Sequence, residues 1–349
     1  MNRLGQIGEQ PVPWLDEGPH SDVVIASRIR LARNLENQPF PNHASSDSLQ
    51  EIVLQVEWAV RNAGVVPEGR FVRSGELSPG DRQLLLERRL ISPEFARGVR
   101  ESAVAVSEDF RFSVMVNEED HLRIQILDAG LNLELLWEEI QAQERLLGQE
   151  LPFAFSGEFG YLTACPTNTG TGMRVSVLMH LPALDATEGL QEALSQMSPS
   201  GLSVRGFYGE GSDVVGSIYQ ISNKLTLGWT ELRLLEDLLK IAREVVDKEE
   251  KARRKLLEDR SIEIEDRVFR SLGILERARI LSSREFIEHY SNLMLGIHIG
   301  LITDLDPAAL RELLLWVQPA HLQWRWGKEM PAADRDAYRA EFVRSKLGL

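Results

Sequence analysis

Residues 102–127 read "SAVAVSEDFRFSVMVNEEDHLRIQIL" and decide the fold class. Three short runs of alternating or continuous apolar residues follow one another here, and polar residues separate them. This pattern is typical of antiparallel strands joined as a meander. The sequence therefore predicts an antiparallel sheet in the middle of the chain.

The segments around this meander extend the same sheet and add helices to it. Further strands are predicted from apolar, β-branched runs in "SDVVIASRIRLARNL" (21–35), "MRVSVLMHLP" (173–182) and the end of "VRGFYGEGSDVVGSIYQISNK" (204–224). Amphipathic helices are predicted from apolar residues at helical spacing in "SDSLQEIVLQVEWAVRNAG" (46–64) and "NLELLWEEIQAQERLLGQ" (132–149). The fold class is therefore α+β, an antiparallel sheet with helices on one face.

The pattern changes in the last third of the chain. From "WTELRLLEDLLKIAREVVDKEEKARRKLLEDRS" onward, apolar residues recur at helical spacing among dense mixed charge. We expect a leader over 1–20, a catalytic α+β domain over 21–254 and an all-helical carboxy-terminal domain over 255–349.

Composition excludes several classes of protein. The formal net charge of −14 disfavours a nucleic-acid surface and is compatible with basic partners. No apolar run approaches the roughly 20 residues that cross a bilayer, and the amino terminus has no basic-then-apolar signal pattern. These features predict a soluble cytoplasmic protein. The chain has one cysteine, Cys165, which is either a buried small hydrophobe or a reactive thiol.

Familiar nucleotide and metal motifs are absent from the sequence, which has no phosphate loop ending in Gly-Lys-Ser/Thr and no His-Glu-x-x-His. Arginines offer another way to hold phosphates, because a planar guanidinium binds phosphate oxygens in bidentate fashion and stays charged. Five arginines lie on or beside predicted strands: Arg28, Arg30, Arg123, Arg174 and Arg205. Taken one at a time, each is equally well explained as an ordinary surface arginine.

The candidate acids are also ambiguous when taken singly. Glu119, His121 and Arg123 would share one face if their strand ran unbroken, which would place a carboxylate beside an arginine. An ion pair at a surface strand end would look the same. Glu210 lies in "GFYGEGSD", where glycines allow the backbone to approach a ligand closely.

Four motifs taken together resemble the phosphagen kinases, which phosphorylate a guanidinium nitrogen. These motifs occur in the same order as in that family: "SRIRLARNL", "VNEEDHLRI", "CPTNTGTGMRVSV" and "RGFYGEGSDVVGSIYQISNKLTLGWTE". The resemblance covers about residues 21–250. Within the superfamily the chain is most similar to the bacterial protein-arginine kinases, because it lacks the helical amino-terminal domain of the small-molecule enzymes and adds a helical carboxy-terminal domain.

The resemblance implies roles for individual residues. Glu119 and Glu210 would bind the substrate guanidinium, with Glu119 as the general base, and Cys165 would contact the substrate as a thiolate. The five arginines and Ser27 would bind ATP, with Mg²⁺ held mainly by phosphates and water. The family usually has histidine where Leu178 and Arg89 stand here, which bears on nucleotide preference.

The implied activity is ATP-dependent phosphorylation of arginine side chains in proteins, as a mark in stress response and proteolysis. Two alternatives stay open: a kinase for free arginine or another small guanidine, and a non-catalytic adaptor that binds nucleotide or phosphoarginine. The resemblance also implies a homodimer, a zinc-binding activator protein, a stress-response repressor as substrate, and a Clp-type protease system.

A second binding site is implied near the carboxy terminus. "RDAYRA" (335–340) resembles a segment of protein-arginine kinases that binds phosphoarginine, with Arg335 for the phosphoryl group and Asp336 for the remaining N–H donors. The residues alone favour a different interpretation, an exposed helix face with Asp336 paired to Arg339.

Overall fold

The structure is a computed structural model that describes residues 7–8, 10, 12–66, 70–98, 100–187, 190, 201–207 and 214–349. Its strands are β1 Val24–Arg33, β2 Phe71–Arg73, β3 Ala103–Val106, β4 Phe112–Val116, β5 Leu122–Ala129, β6 Phe155–Ser156, β7 Gly160–Tyr161, β8 Met173–His180, β9 Leu202–Gly206 and β10 Ile218–Asn223. Its helices are α1 Ser46–Asn62, α2 Pro79–Glu87, α3 Pro93–Ala96, α4 Leu133–Glu150, α5 Pro182–Ala186, α6 Glu231–Arg277, α7 Ser283–His298, α8 Pro307–Trp316, α9 Pro319–Trp326 and α10 Ala332–Leu347.

Eight of the strands form one antiparallel sheet in the order β2-β3-β4-β5-β1-β8-β10-β9. The meander predicted from residues 102–127 is confirmed, since β3, β4 and β5 are neighbours in chain order. β6 and β7 form a separate two-stranded hairpin. β1 lies at the centre, between β5 and β8, so it has a hydrogen-bonded strand on each side.

The helices begin where the sequence supplies capping groups. The Ser45 hydroxyl accepts a hydrogen bond from the Ser48 amide at the start of α1. Ser78 and Asp81 form a capping box at α2, and Ser282 and Glu285 form another at α7. Such groups satisfy amides that the first helical turn leaves without partners.

One face of the sheet carries the main hydrophobic core. Ile29 and Leu31 of β1 are fully buried in it, together with residues of α1, α4 and the first part of α6. These helices therefore cover a single face. The carboxy-terminal helices pack into a second core, which also includes Trp14 and Leu178.

A buried ion pair links α6 to the start of α5 and to the segment just before β1. The Glu249 carboxylate is fully buried, accepts hydrogen bonds from the amides of Ala183 and Leu184 at the start of α5, and pairs with Arg253 at 3.0 Å. Arg253 also donates to the carbonyl of Asp22, just before β1. Burial raises the pKa of Glu249, an effect that Arg253 and the two amides oppose.

The carboxy-terminal part is helical, as predicted. The expected boundary at residue 255 lies inside α6, which runs through Glu231–Arg277 with one non-helical residue, Arg260 (φ −142°, ψ 38°). The division into domains therefore stays a prediction. Over the ranges that the structure describes, no helix combines the length and the apolar character needed to cross a membrane.

Candidate functional site

Alternation along β1 separates the core from a charged face. Ile29 and Leu31 point into the helix-covered core, so Arg28 and Arg30 project from the opposite face of the sheet. Both arginines are half-buried. The strand is therefore apolar on one side and strongly basic on the other.

The neighbouring strands bring the other three predicted arginines to the same face. Arg30 stands directly opposite Arg174 of β8 and also opposite Gln125 of β5. Arg123 lies two residues from Gln125 and so shares its face. Arg205 of β9 joins the set at the sheet edge, where it faces Gln220 of β10. Five arginines from four strands thus meet on one surface.

The cluster carries mutual repulsion. Burial, followed by repulsion from Arg89, Arg123, Arg174 and Arg205, lowers the pKa of Arg28 to about 9. Burial and the charges of three neighbouring arginines also hold the pKa of Arg30 well below its usual value, although Glu118 opposes this shift. Water still reaches both half-buried side chains, and both remain protonated at neutral pH.

Neutral groups hold several of these guanidinium groups. Arg28 donates to the amide oxygen of Gln220 at 3.3 Å, Arg174 to the Ser222 hydroxyl at 3.3 Å and Arg205 to the Ser203 hydroxyl at 3.2 Å. A neutral acceptor fixes a guanidinium without cancelling its charge. The buried Nε of Arg30 has no hydrogen-bond partner among the described residues. Buried donors normally have partners, so this surface fits a multiply charged anion such as a polyphosphate.

Ser27 is the remaining residue that the resemblance assigns to ATP. It directly precedes Arg28 on β1, so its side chain lies on the opposite, helix-covered face of the sheet. The residue is fully buried. Its hydroxyl donates to the Gly130 carbonyl at 2.7 Å and accepts from the Asn132 amide at 3.1 Å. Although the residue also borders a small cavity next to Arg28, its hydroxyl holds the turn after β5. A contact between Ser27 and ATP stays a prediction.

The strand does not run unbroken through Glu119, His121 and Arg123, so the condition for a shared face is not met. Asn117 adopts a left-handed conformation (φ 57°), and β5 begins only at Leu122. A left-handed residue reverses the chain tightly, and asparagine tolerates this conformation better than most residues. The acidic segment therefore forms the turn between β4 and β5, where strand alternation does not apply.

This turn buries a carboxylate that sequence reasoning missed. The Glu118 side chain is 1% exposed and pairs with Arg123 at 2.8 Å. It also accepts hydrogen bonds from the Ser92 hydroxyl at 2.6 Å and from the Glu119 amide at 2.9 Å. Glu118 thus fixes both the arginine and the backbone of its neighbour.

Glu119 is the accessible acid of the turn. Its side chain is 37% exposed, lies 3.6 Å from Arg123 and is close enough to Cys165 for the thiol to lower its pKa. Burial raises the pKa of Glu119, and the nearby Asp120 and Glu118 add to that effect, while Arg123 and Cys165 oppose it. The structure therefore brings together Glu119, Cys165 and the arginine cluster through Arg123.

The other two members of the acidic turn are structural. His121 is fully buried: its Nδ1 accepts from the Leu35 amide and its Nε2 donates to the Pro39 carbonyl. Asp120 accepts from Asn34 at 2.6 Å and from the Ala164 amide at 2.7 Å. Because Ala164 precedes Cys165, Asp120 ties the acidic turn to the cysteine turn.

Cys165 is half-buried at the head of a tight turn. Its Sγ lies 3.0 Å from the Thr167 hydroxyl, and its carbonyl accepts from the Asn168 amide. Gly170 (φ 114°) and Gly172 (φ 63°) close this turn where a Cβ atom would collide with the Thr226 and Ala32 carbonyls. Close backbone packing is thus a sufficient reason for both glycines.

The remaining predicted positions have mixed outcomes. Glu210 lies outside the described residues. Leu178 lines the small cavity beside Arg28, as does Arg89. Arg89 has a left-handed backbone (φ 63°), contacts the rings of Trp14 and Phe207, and donates to the Phe207 carbonyl at 3.1 Å. Because it also repels Arg28, Arg89 is a sixth arginine of the charged face.

The carboxy-terminal pair Arg335 and Asp336 lies at the start of α10, far along the chain from this face. Arg335 donates to the Met330 carbonyl at 2.9 Å. Asp336 pairs with Arg339, as in the helix-face interpretation, but Arg339 is 1% exposed rather than solvated. Arg339 also donates to the carbonyls of Val317 and Leu281, so the ion pair anchors α10 to its neighbours.

Family models cover most of the chain. Residues 51–252 match the carboxy-terminal catalytic domain of the ATP:guanido phosphotransferases, and residues 261–349 match the carboxy-terminal domain of the protein-arginine kinase McsB. A protein-arginine kinase of Halothermothrix orenii is 44% identical over 95% of each chain, and one of Symbiobacterium thermophilum is 45% identical over 96% of each. The chain belongs to the protein-arginine kinase family.

The fold of this protein-arginine kinase family member is similar to those of solved phosphagen kinases. A duplicated taurocyamine kinase from Schistosoma mansoni, solved with transition-state analogue components, is 27% identical with a TM-score of 0.61, and the match covers 71% of this chain and 36% of that one. A lombricine kinase matches the fold with a TM-score of 0.57 at 20% identity over 70% of each chain. The predicted α+β fold is therefore confirmed.

Proposed function

We propose that this protein is an ATP-dependent protein-arginine kinase, which transfers the γ-phosphoryl group of ATP to an arginine side chain of a protein. One observation carries the proposal: five arginines meet on one face of the sheet, and Arg123 joins that face to Glu119 and Cys165. A polyphosphate fits the arginines, and a guanidinium fits the carboxylate and the sulfur.

The substrate proton sets the main chemical problem. A guanidinium has a pKa of about 12.5 to 13.8, so full deprotonation at pH 7 would cost about 8 kcal/mol. Removing the proton while the N–P bond forms avoids that cost. A nitrogen of the substrate then bonds to the γ-phosphorus, the bond from that phosphorus to the ADP oxygen breaks, and the proton passes to a base.

Glu119 is the base in this scheme. It is the acid of the turn that both reaches solvent and contacts Cys165, whereas Glu118 is buried against Arg123. The neighbouring Cys165 thiol lowers the pKa of the Glu119 carboxylate, and a substrate guanidinium would offer that carboxylate its own N–H donors. We assign Glu210 the role of second, orienting carboxylate on the basis of the family resemblance.

The arginines supply electrostatic stabilisation. Charge on the transferring phosphoryl group is spread over its outer oxygens, and fixed guanidinium groups stabilise it without reorganising. Mg²⁺ prefers phosphate and water oxygens, so we propose that it enters with ATP and offsets further charge there. Within the described ranges, no group of three or more acidic, histidine or cysteine side chains could hold a metal ion.

A second candidate function is a kinase for a small free guanidine. It is favoured by the similarity of fold to enzymes named taurocyamine kinase and lombricine kinase. The protein substrate is supported by relatives named protein-arginine kinase, which match over nearly the full length of both chains. The third candidate is a non-catalytic adaptor. It would not need a base, so the position of Glu119 beside the arginine face argues against it.

The test supplies labelled ATP and Mg²⁺ with either an unfolded basic protein or free arginine. We expect acid-labile, phosphoarginine-bearing protein, with Glu119→Gln as the inactive comparison and the exposed Glu258→Gln of α6 as the active one. Faster labelling of free arginine would favour the small-guanidine kinase. Nucleotide binding without any labelled product would favour the adaptor.

The biological setting follows from the resemblance and is also proposed. We infer a cytoplasmic homodimer that is stimulated by a zinc-binding activator, phosphorylates a stress-response repressor and delivers marked proteins to a Clp-type protease. We further propose that Arg335 and Asp336 bind phosphoarginine. Sedimentation of the purified chain and labelling assays with each purified partner test these points one by one.

A further inference from the structure

Large apolar side chains are exposed around the cysteine turn. Phe155, Phe159, Leu225 and Leu227 are each between 47% and 63% exposed, and we call these four residues the apolar rim. Phe155 and Phe159 belong to the β6–β7 hairpin, and the two leucines follow β10. Isolated apolar side chains at a surface are ordinary, but a group of four next to a candidate active site is unusual.

The leucine segment lies directly against the cysteine turn. The Thr226 hydroxyl, between the two leucines, is within hydrogen-bond distance of the Thr167 carbonyl at 2.9 Å and the Thr169 carbonyl at 2.7 Å. A Cβ atom on Gly170 would lie 2.8 Å from the Leu227 Cα. The leucines are therefore fixed to the same turn that presents Cys165.

The hairpin lies against the other end of that turn. Tyr161 and Gly170 exchange backbone hydrogen bonds of 2.8 and 3.3 Å. The Phe155 ring packs edge-on against the Tyr161 ring at 5.2 Å, and the Arg33 guanidinium stacks on that same ring at 3.4 Å. Arg33 also donates to the Thr171 carbonyl. Both halves of the rim are thus built onto the backbone that positions Cys165.

We infer that the apolar rim binds the polypeptide on either side of the target arginine and favours apolar residues there. This inference rests on the proposed function, because it assumes that the arginine enters at Glu119 and Cys165. An extended side chain of that length keeps its own backbone within about 7 Å of the guanidinium. The flanking residues must then pass over the surface around the cysteine turn, which is the rim.

The rim therefore defines a class of substrate. Folded proteins bury their apolar residues, whereas unfolded segments present arginine and apolar residues together. A rim of phenylalanine and leucine gains free energy by removing such neighbours from water. Glu158, exposed between the two phenylalanines, adds an acidic group that suits basic segments.

The test uses two fluorescent peptides, each with one arginine, one flanked by leucines and the other by glycine and serine. Binding to the full chain is measured by anisotropy without ATP, so the result does not depend on turnover. We expect tighter binding of the leucine peptide, and Phe159→Ser/Leu227→Ser should weaken it at least about tenfold. The glycine-serine peptide should bind the wild type and this variant equally.

A matched variant controls for the loss of exposed apolar surface. Ile262→Ser/Ile280→Ser removes two more exposed apolar side chains from the helical part and should leave both affinities unchanged. Equal affinities of wild type and rim variant for the leucine peptide would overturn the inference. So would a change from dimer to monomer in the rim variant without loss of peptide binding, because the rim would then be a self-association surface. Failure of the kinase proposal would instead appear as missing phosphoarginine.

Discussion

Arg30 of β1 stands directly opposite Arg174 of β8, in adjacent strands at the centre of the sheet. Like charges in opposed positions destabilise a sheet. Burial and this neighbour, together with Arg28 and Arg123, lower the pKa of Arg30. The cost exists in the folded chain at every pH at which the arginines are protonated, and a bound anion would relieve it.

Replacing one arginine should therefore raise the stability of the unliganded protein and lower its affinity for ATP. We expect Arg30→Met to raise the free energy of unfolding of the unliganded protein by about 1 kcal/mol, because it removes a partly buried like charge. ATP affinity should fall at least about tenfold. Thermal unfolding with and without ATP measures both, with exposed Arg145→Met as the matched control. A less stable Arg30→Met protein that still binds ATP normally would contradict the role of the cluster.

Glu119→Gln tests the base. The change keeps the shape of the side chain but removes the carboxylate, so phosphorylation should fall at least about 100-fold while ATP still binds. Ionised Glu119 is disfavoured by burial in the folded state, so its loss should not destabilise the protein. Turnover by labelled ATP and unfolding by urea give the two readouts. Near-normal turnover would remove Glu119 from the mechanism.

The pH dependence of the reaction should also show that Glu119 acts as the base. Burial raises the pKa of Glu119 above 4.5, so this group is protonated at a higher pH than a free glutamate. Its contribution to stability is fully present below pH 4.5 and is lost as pH rises through the raised pKa, while activity changes in the opposite direction. We expect kcat/KM to fall on the acid side with an apparent pKa above 4.5. A midpoint below 4.5, with the protein still folded, would contradict this assignment.

Strand alternation predicts correctly which side chains of β1 share a face. Arg28 and Arg30 are two residues apart on a regular strand, and the structure places both on the predicted face. The same rule puts Ser27 on the other face, where its hydroxyl bonds the turn after β5. The expectation for Ser27 followed family position rather than side-chain direction.

The turn at Asn117 shows what the sequence did not reveal. Because the left-handed residue breaks the alternation, neither the burial of Glu118 nor the structural role of His121 follows from spacing. Five consecutive polar residues (117–121) between two apolar strands were the available signal for a turn. The long-range contact from Asp120 to Asn34 depends on strand order and needed the three-dimensional structure.

Cys165 offers a chemical probe of the guanidinium site. The thiol is only half-buried and lies 3.0 Å from the Thr167 hydroxyl, so iodoacetamide should reach and alkylate it in the native protein. A guanidine-bearing substrate should protect it, because the guanidinium would occupy the same contacts. Mass spectrometry of the labelled chain measures the rate. Cys165→Ser should fold normally but lose activity, whereas an inert thiol together with an unfolded serine variant would make Cys165 a core residue.

Arg335 and Asp336 should respond differently to substitution. Arg335 is half-buried with one donor on the Met330 carbonyl, so Arg335→Ala should fold normally and abolish phosphoarginine binding if the site is real. Asp336→Ala removes the partner of buried Arg339 and should cost about 3 kcal/mol of stability whether or not a ligand binds. Calorimetric titration of the full chain with phosphoarginine, alongside urea unfolding, distinguishes the two effects. Unchanged phosphoarginine affinity in Arg335→Ala would leave this pair as the anchor of α10 alone.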